Sequence, residues 1–297
     1  MTMRALVSTA LVCLLAALAF PAAAQPRMDL TAPETIADRG APGYRFETLH
    51  IASEDGERRY RVTVGIPEGA LPATGRPALW MLDGKAALAH IDEALLAEVD
   101  ANARPVLVAI GHDTPLRLDA AERYRDYTPS AGTHNSRGRQ GGGANAFLDT
   151  IEHRIRPEVA KLTRLDPERQ ALWGHSLGGL FVLHTLFERP DAFSHYFATS
   201  PSLWWDEGVI VEAGRAFAGA ADKHVVIATG SDGGSPRRRE ARSRFAGPTT
   251  DEFVEALANK PGLDVRRITY PGLGHGGTLR ASIPDALRAA IRSEPTP

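Results

Sequence analysis

Cysteine is almost missing from this chain: one residue, Cys13, among 297. It lies in the apolar stretch that opens the sequence, after "ALV", a poor context for lipid attachment. A disulfide framework is thereby excluded, and the core alone must hold whatever fold follows. An excess of one charge is missing too. The 34 Lys and Arg residues nearly balance 36 Asp and Glu, for a formal net charge of -2. Nucleic-acid partners, which select markedly basic surfaces, are not expected. Long apolar runs are missing after residue 20. The single one, Ala5 to Phe20, follows Arg4 and precedes "AAA" at 22–24, the layout of a secretory signal peptide cut after Ala24. It is short for a membrane span. Cleavage would remove Cys13 and Arg4, taking the net charge from -2 to -3. The mature chain, residues 25–297, would have no thiol and no stable membrane insertion. The periplasm of a Gram-negative bacterium is the expected location, and the oligomeric state is left open.

What is present alternates between strand and helix patterns. "YRFETLHIAS" and "RRYRVTVGIP" flank the polar "EDGE" and predict an antiparallel hairpin. "PALWMLDG" predicts a buried strand ending in a turn. A helix over 85–101 follows, with Leu88, Ile91, Leu95 and Val99 on one face. "RPVLVAIG" has the continuous apolar character of a central parallel strand. Residues 130–143 are rich in Gly, Ser and Arg and predict a loop over the sheet. Phe147, Ile151, Ile155, Val159 and Leu162 recur at helical spacing, with a kink expected at Pro157. Strands are then predicted in "RQALWGH", "FSHYFATSPS", "KHVVIATGS" and "VRRITYPG", with helices after the first and in "TDEFVEALANK". "SIPDALRAAIR" predicts the last helix, capped by Ser282. A hairpin followed by strand–helix units argues for one α/β domain with a mostly parallel sheet and helices on both faces.

"GHSLG", residues 174–178, fits G-x-S-x-G in the context that motif requires, between a strand and a helix. A serine on so sharp a turn needs a strained backbone and close neighbours. Gly174 and Gly178 remove side chains that would collide, and Gly179 lets the helix pack on the sheet. The turn aims the Ser176 hydroxyl out of the sheet and sets the Leu177 N–H where an oxyanion would form. The alternative is a chance five-residue match, against which the flanking strand and helix count. A serine hydroxyl is a weak nucleophile and needs a base. Of ten histidines, His90, His153 and His184 fall in predicted helices, His50, His195 and His224 beside strands, and His134 in the loop. His112 could line a pocket. His175 adjoins the serine and cannot easily turn back on it. His275, in "PGLGHGG" after the last strand, stands where the base of a Ser…acid…His order belongs. The acid stays open: Asp232 is the first carboxylate after its strand, Glu240, Asp206 and Glu207 are alternatives, and a Ser–His pair without a strong acid is another. The Lys85 N–H, after the Gly84 turn, is the expected second oxyanion donor. Asp83 and Lys85 read equally well as a turn and a helix start.

Taken together, "LWMLDGKAAL", "RYRDYTP", "GGGANAFLDTIEHRIRP", "ALWGHSLGGLFVLHTLF", "FATSPSLWW" and "YPGLGHGG" resemble the ferric-siderophore esterases of the α/β-hydrolase fold. The similar group is the enterobactin and salmochelin trilactone esterases, over about Tyr44 to Arg292. The resemblance implies hydrolysis of a cyclic triserine lactone bearing catecholates, free or ferric, in iron acquisition. It implies Ser176 and His275 as the catalytic pair and Arg123 as an arginine that meets the substrate, and it favours a Ser–His dyad over Asp232. No metal or organic cofactor is expected, since any iron belongs to the substrate. An anionic catecholate would suit Arg125, Arg137 and Arg139 as further contacts. Trp204 and Trp205 offer flat faces to catechol rings, with at most one expected to be exposed. The run at 237–244 matches nothing in the family. Rival readings are an esterase of other small acyl esters and a non-catalytic siderophore-binding protein.

Overall fold

The chain's apolar runs become the strands of one sheet because each can be covered from both sides. The computed structural model describes residues 30–132, 140–232 and 247–292. The signal-peptide reading with Cys13, and the readings of His134, Arg137, Arg139, Glu240 and segment 237–244, lie outside the described residues. The strands are β1 (Tyr44–Ala52), β2 (Arg59–Pro67), β3 (Arg76–Leu82), β4 (Val106–His112), β5 (Leu165–His175), β6 (His195–Thr199), β7 (Lys223–Gly230) and β8 (Leu263–Tyr270). Their order in the sheet is β1-β2-β4-β3-β5-β6-β7-β8. β1 and β2 form the predicted hairpin, β2 pairs antiparallel with β4, and all other pairs are parallel. This is the mostly parallel α/β-hydrolase sheet.

Helices between the strands are α1 (Ile36–Arg39), α2 (Gly84–Leu88), α3 (Glu93–Ala97), α4 (Ala120–Tyr127), α5 (Ala144–Thr150), α6 (Arg156–Leu162), α7 (Leu177–Glu188), α8 (Val209–Ala216), α9 (Thr250–Ala258) and α10 (His275–Ile291). Side-chain alternation splits the core in two. Trp80, Leu172 and Tyr196 join Phe147, Phe181 and Tyr127 on one face. Leu79, Met81, Trp173 and Phe197 join Leu88, Ile283 and Leu287 on the other. Each such side chain, wholly removed from water, contributes about 1.5–3 kcal/mol.

Three local expectations are corrected. The helix predicted over 85–101 divides into α2 and α3, because Asp92 caps a new start by accepting from the Leu95 N–H at 2.8 Å. The kink near Pro157 is a π-helical turn, Ile151–Ile155, which delivers that proline to the first turn of α6, where its missing N–H costs little. The last helix begins at His275, not Ser282. Ser282 is buried inside it and accepts the Trp173 Nε1–H at 3.0 Å. The glycines at 276 and 277 and the proline at 284 hide that longer helix from a propensity reading.

Candidate active site

Strand order reverses between β3 and β5: from β3 the chain goes outward to β4, then returns to β5 on the opposite side. In sheets of this kind the crevice at such a reversal, beyond the carboxyl ends of the strands, is where ligands bind. Ser176 stands there, between the end of β5 and the start of α7. Its backbone has φ 62 and ψ -113, a left-handed φ that costs a non-glycine residue about 1–3 kcal/mol. Three bonds hold it: the Ser176 N–H donates to Thr199 O at 2.9 Å, and the Leu180 and Ser202 N–H groups donate to Ser176 O at 3.0 and 3.2 Å. Gly174 and Gly179 are required by contact, whereas a Cβ on Gly178 would stand 3.6 Å from Leu82, an ordinary contact, so the collision expected there does not arise. A Cβ on Gly174 would overlap the Gly178 carbonyl, and one on Gly179 would stand 2.9 Å from Thr199 O. Leu177 is the first residue of α7, so its N–H has no intrahelical acceptor.

His275 is half-buried and is the first residue of α10. Its ring lies with its centroid 4.6 Å from that of His175, the residue before Ser176. His175 turns away from the serine: its Nε2 reaches His275 O at 2.8 Å and Thr278 Oγ1 at 3.2 Å. Asp232 is exposed just after β7. Its N–H donates to Leu273 O at 3.2 Å, and its Oδ2 would stand 3.4 Å from a Cβ built on Gly274, so it flanks the segment leading into His275. Asp206 and Glu207 sit after β6 with left-handed φ values of 45 and 56.

Arg123, singled out by resemblance as an arginine that meets the substrate, lies on α4. Its guanidinium is buried, donating from Nε to Asp83 Oδ1 at 2.7 Å and from Nη2 to Asp83 Oδ2 at 2.9 Å, with His175 O at 3.5 Å. Nη1 makes no hydrogen bond among the described residues. Burial opposes its charge, but the Asp83 carboxylate outweighs that and keeps the group protonated. Asp83 was legible only as a turn. It holds φ 55 and ψ 47, and its N–H donates to the Tyr127 hydroxyl at 3.1 Å. The Lys85 N–H lies on the β4 side of the turn, 3.8 Å from a Cβ built on Gly111, while its ammonium reaches the Thr114 carbonyl. Arg125 pairs with Glu122. Trp204 is 41% exposed and Trp205 4%.

The Esterase family profile matches residues 53–267. The chain belongs to this esterase family. It is 35% identical over 272 residues, 89% of this chain and 84% of the relative, to the apo-salmochelin esterase of Escherichia coli O6:H1. Identity is 30% over 270 residues, 84% of this chain and 90% of the other, to the ferri-bacillibactin esterase BesA of Bacillus subtilis. The solved enterobactin hydrolase IroE, in complex with DFP, superposes with a TM-score of 0.73 at 34% identity, covering 87% of this chain and 99% of that one. The protein is a carboxylic ester hydrolase.

Near the Asp83 turn the esterase joins His112, expected from the sequence, to Asp126, Tyr60, Arg58 and Arg117, which sequence reasoning missed. His112, the predicted pocket residue, lines a small recess with Lys85 and Arg117. Its Nε2 lies 2.9 Å from Asp126 Oδ2, which also accepts from the Tyr60 hydroxyl at 2.9 Å, while Arg58 reaches Asp126 Oδ1 at 3.3 Å. His112, Glu122 and Asp126 bring ligand-type atoms within 4.8 Å, yet both carboxylates already answer arginines, so the donor set is a neutralised network with little charge left for an ion. Cations crowd the same side: burial, then Arg61, hold Lys85 below the usual ammonium range, and burial, Arg117 and Arg280 hold the His90 imidazole below its ordinary value. No helix among the described residues is long and apolar enough to cross a membrane.

Proposed function

We propose that this esterase hydrolyses the ester bonds of a catecholate siderophore trilactone of the enterobactin or salmochelin type, free or ferric, through a seryl ester. The observation that carries the chemistry is the strained Ser176 held on three backbone bonds beside the helix that begins at His275. Ser176 Oγ attacks the lactone carbonyl as His275 takes its proton. The ring C–O bond then breaks, and His275 returns the proton to the leaving oxygen. Water, activated by His275, cleaves the seryl ester and restores the hydroxyl.

The oxyanion forms at the N-terminus of α7, within reach of the Leu177 N–H. Arg123, fixed by Asp83 with Nη1 left over, supplies a rigid positive charge at the same edge. The Lys85 N–H, on the β4 side of the turn, is the other candidate for second donor. Each such donor is worth roughly 2.7–4 kcal/mol of transition-state stabilisation. Lys85, Arg61 and Arg117 give the crevice a positive side that would draw an anionic catecholate. Trp204 offers an exposed ring for stacking, while Trp205 packs inside against Tyr124 at 5.3 Å between centroids. The mature protein is read as one domain, residues 25–297, working in the periplasm after loss of the signal peptide at 1–24.

A chromatographic time course with apo and ferric enterobactin tests the reading. The native protein should give linear products, and Ser176→Ala should give none while still binding the siderophore. Faster turnover of simple acetyl esters than of either trilactone would move the protein to the general esterases. Binding without hydrolysis, and no organophosphate label on Ser176, would reduce it to a binding protein.

A further inference from the structure

The segment that carries His275 is rich in the residue with the widest backbone freedom. Glycines stand at 272, 274, 276 and 277. Cβ atoms built on Gly272 and Gly276 would meet nothing within 4 Å, so no side chain packs against either position, and the backbone is held there by the Gly272 N–H donating to Ser231 Oγ at 2.8 Å and the Asp232 N–H donating to Leu273 O at 3.2 Å. A glycine-rich backbone gives the side chain it carries room to wander, yet a general base must stay within hydrogen-bond reach of the proton it takes. Beyond those bonds, two residues of β5 reach the helix that His275 begins. Trp173 and His175 are two apart on β5 and therefore face the same way, toward α10. Trp173 Nε1–H donates to Ser282 Oγ at 3.0 Å and ties down the middle of the helix. His175 meets its first turn.

Donor bookkeeping fixes the directions. Thr278 has one hydroxyl proton, and it goes to His275 O at 2.7 Å. A carbonyl oxygen only accepts, so His175 Nε2 must carry a proton, which it shares between His275 O at 2.8 Å and Thr278 Oγ1 at 3.2 Å. Thr278 having spent its proton, Ser200 is the donor in their 2.9 Å bond. His175, Ser200 and Thr278 are all buried. Ser200 takes a φ of 44, and its N–H donates to Ala228 O at 2.6 Å. His175 at the end of β5 and Thr278 thus both donate to one carbonyl, that of His275, with Ser200 behind Thr278, and the two imidazole rings lie with centroids 4.6 Å apart.

We propose that His175 is a positioning residue for the reaction: its Nε2–H and its ring face set the backbone and side chain of His275, with Thr278 and Ser200 completing the clasp. The inference rests on His275 being the base. It explains a residue that touches the nucleophile in sequence yet turns away from it in space. The effect belongs in the rate of the chemical step, since a misplacement of about 1 Å in such a group costs on the order of 10²-fold.

Three variants test it, read as kcat, KM, rate of organophosphate labelling of Ser176, and melting temperature. His175→Leu removes the donor, His175→Gln keeps an amide N–H at similar reach, and Trp173→Phe loosens the same strand–helix contact away from His275. His175→Leu should lower kcat and labelling about 10²-fold with KM nearly unchanged, and His175→Gln should recover most of that loss. Trp173→Phe should melt earlier than native protein yet keep native kcat. The proposal is overturned if His175→Leu keeps kcat within about threefold of native, if Gln recovers nothing, or if Trp173→Phe loses kcat as His175→Leu does. Labelling keeps the two readings apart. Native protein that takes no label defeats the hydrolase reading and this one with it, whereas native protein and His175→Leu labelling equally fast defeats the positioning role alone.

Discussion

Ser176 adopts a backbone that glycine would adopt more readily, with φ at 62. Two substitutions that both remove the hydroxyl therefore differ in stability. Ser176→Ala keeps the strain, while Ser176→Gly relieves it, so the glycine variant should unfold at higher urea than the alanine variant by about 1 kcal/mol, with neither turning over substrate. Asp232 tests a different point. It is exposed after β7 and flanks Gly274. Solvent weakens any support it lends the base, so Asp232→Asn should lower kcat by about tenfold or less, far short of Ser176→Ala. Equal losses in a side-by-side kcat measurement would make it a full member of a triad.

At the scale of elements, the Asp83–Arg123 pair joins the turn after β3, helix α4 and the end of β5. Removing one partner strands a buried charge, so Asp83→Ala should cost about 3–5 kcal/mol in a denaturant titration, and the double variant with Arg123→Ala less than that. This pair also marks the limit of what the sequence disclosed. The strands of the sheet, the hairpin and the serine turn were legible because alternation, apolar runs and G-x-S-x-G are local signals. Arg123 was singled out by likeness and Asp83 seen only as a turn, because forty positions separate them and nothing local says they meet. His175 was set aside for the same reason: its partners, at 275 and 278, lie a hundred residues on. Helix ends suffered where one residue type serves two ends. Asp92 interrupts an apparently continuous helix, and the glycines at 276 and 277 disguise the start of another.

Across the whole molecule, one ionisable group that responds to mild acid sits at the strand ends opposite the chemistry. His195 opens β6 at its amino end, its ring stacked on His224 at 4.5 Å. Burial first, then His224 and Arg292, push its pKa down to about 4, with Asp264 opposing them. The folded protein therefore keeps this ring neutral while the unfolded chain takes up a proton near pH 6.5. Its contribution is full above that pH, declines as pH falls toward about 4, and changes no further below; the loss amounts to roughly 3 kcal/mol at most. Urea titrations at pH 7 and 4.5 should reveal the decline, and His195→Phe should flatten it. Thr199, at the opposite end of the same strand, accepts the N–H of Ser176. Only about 13 Å of extended chain separates the two, yet one end answers to the surrounding medium and the other to the reaction. Selection for survival in a sour habitat and selection for a new ester can therefore act on the same five residues without competing.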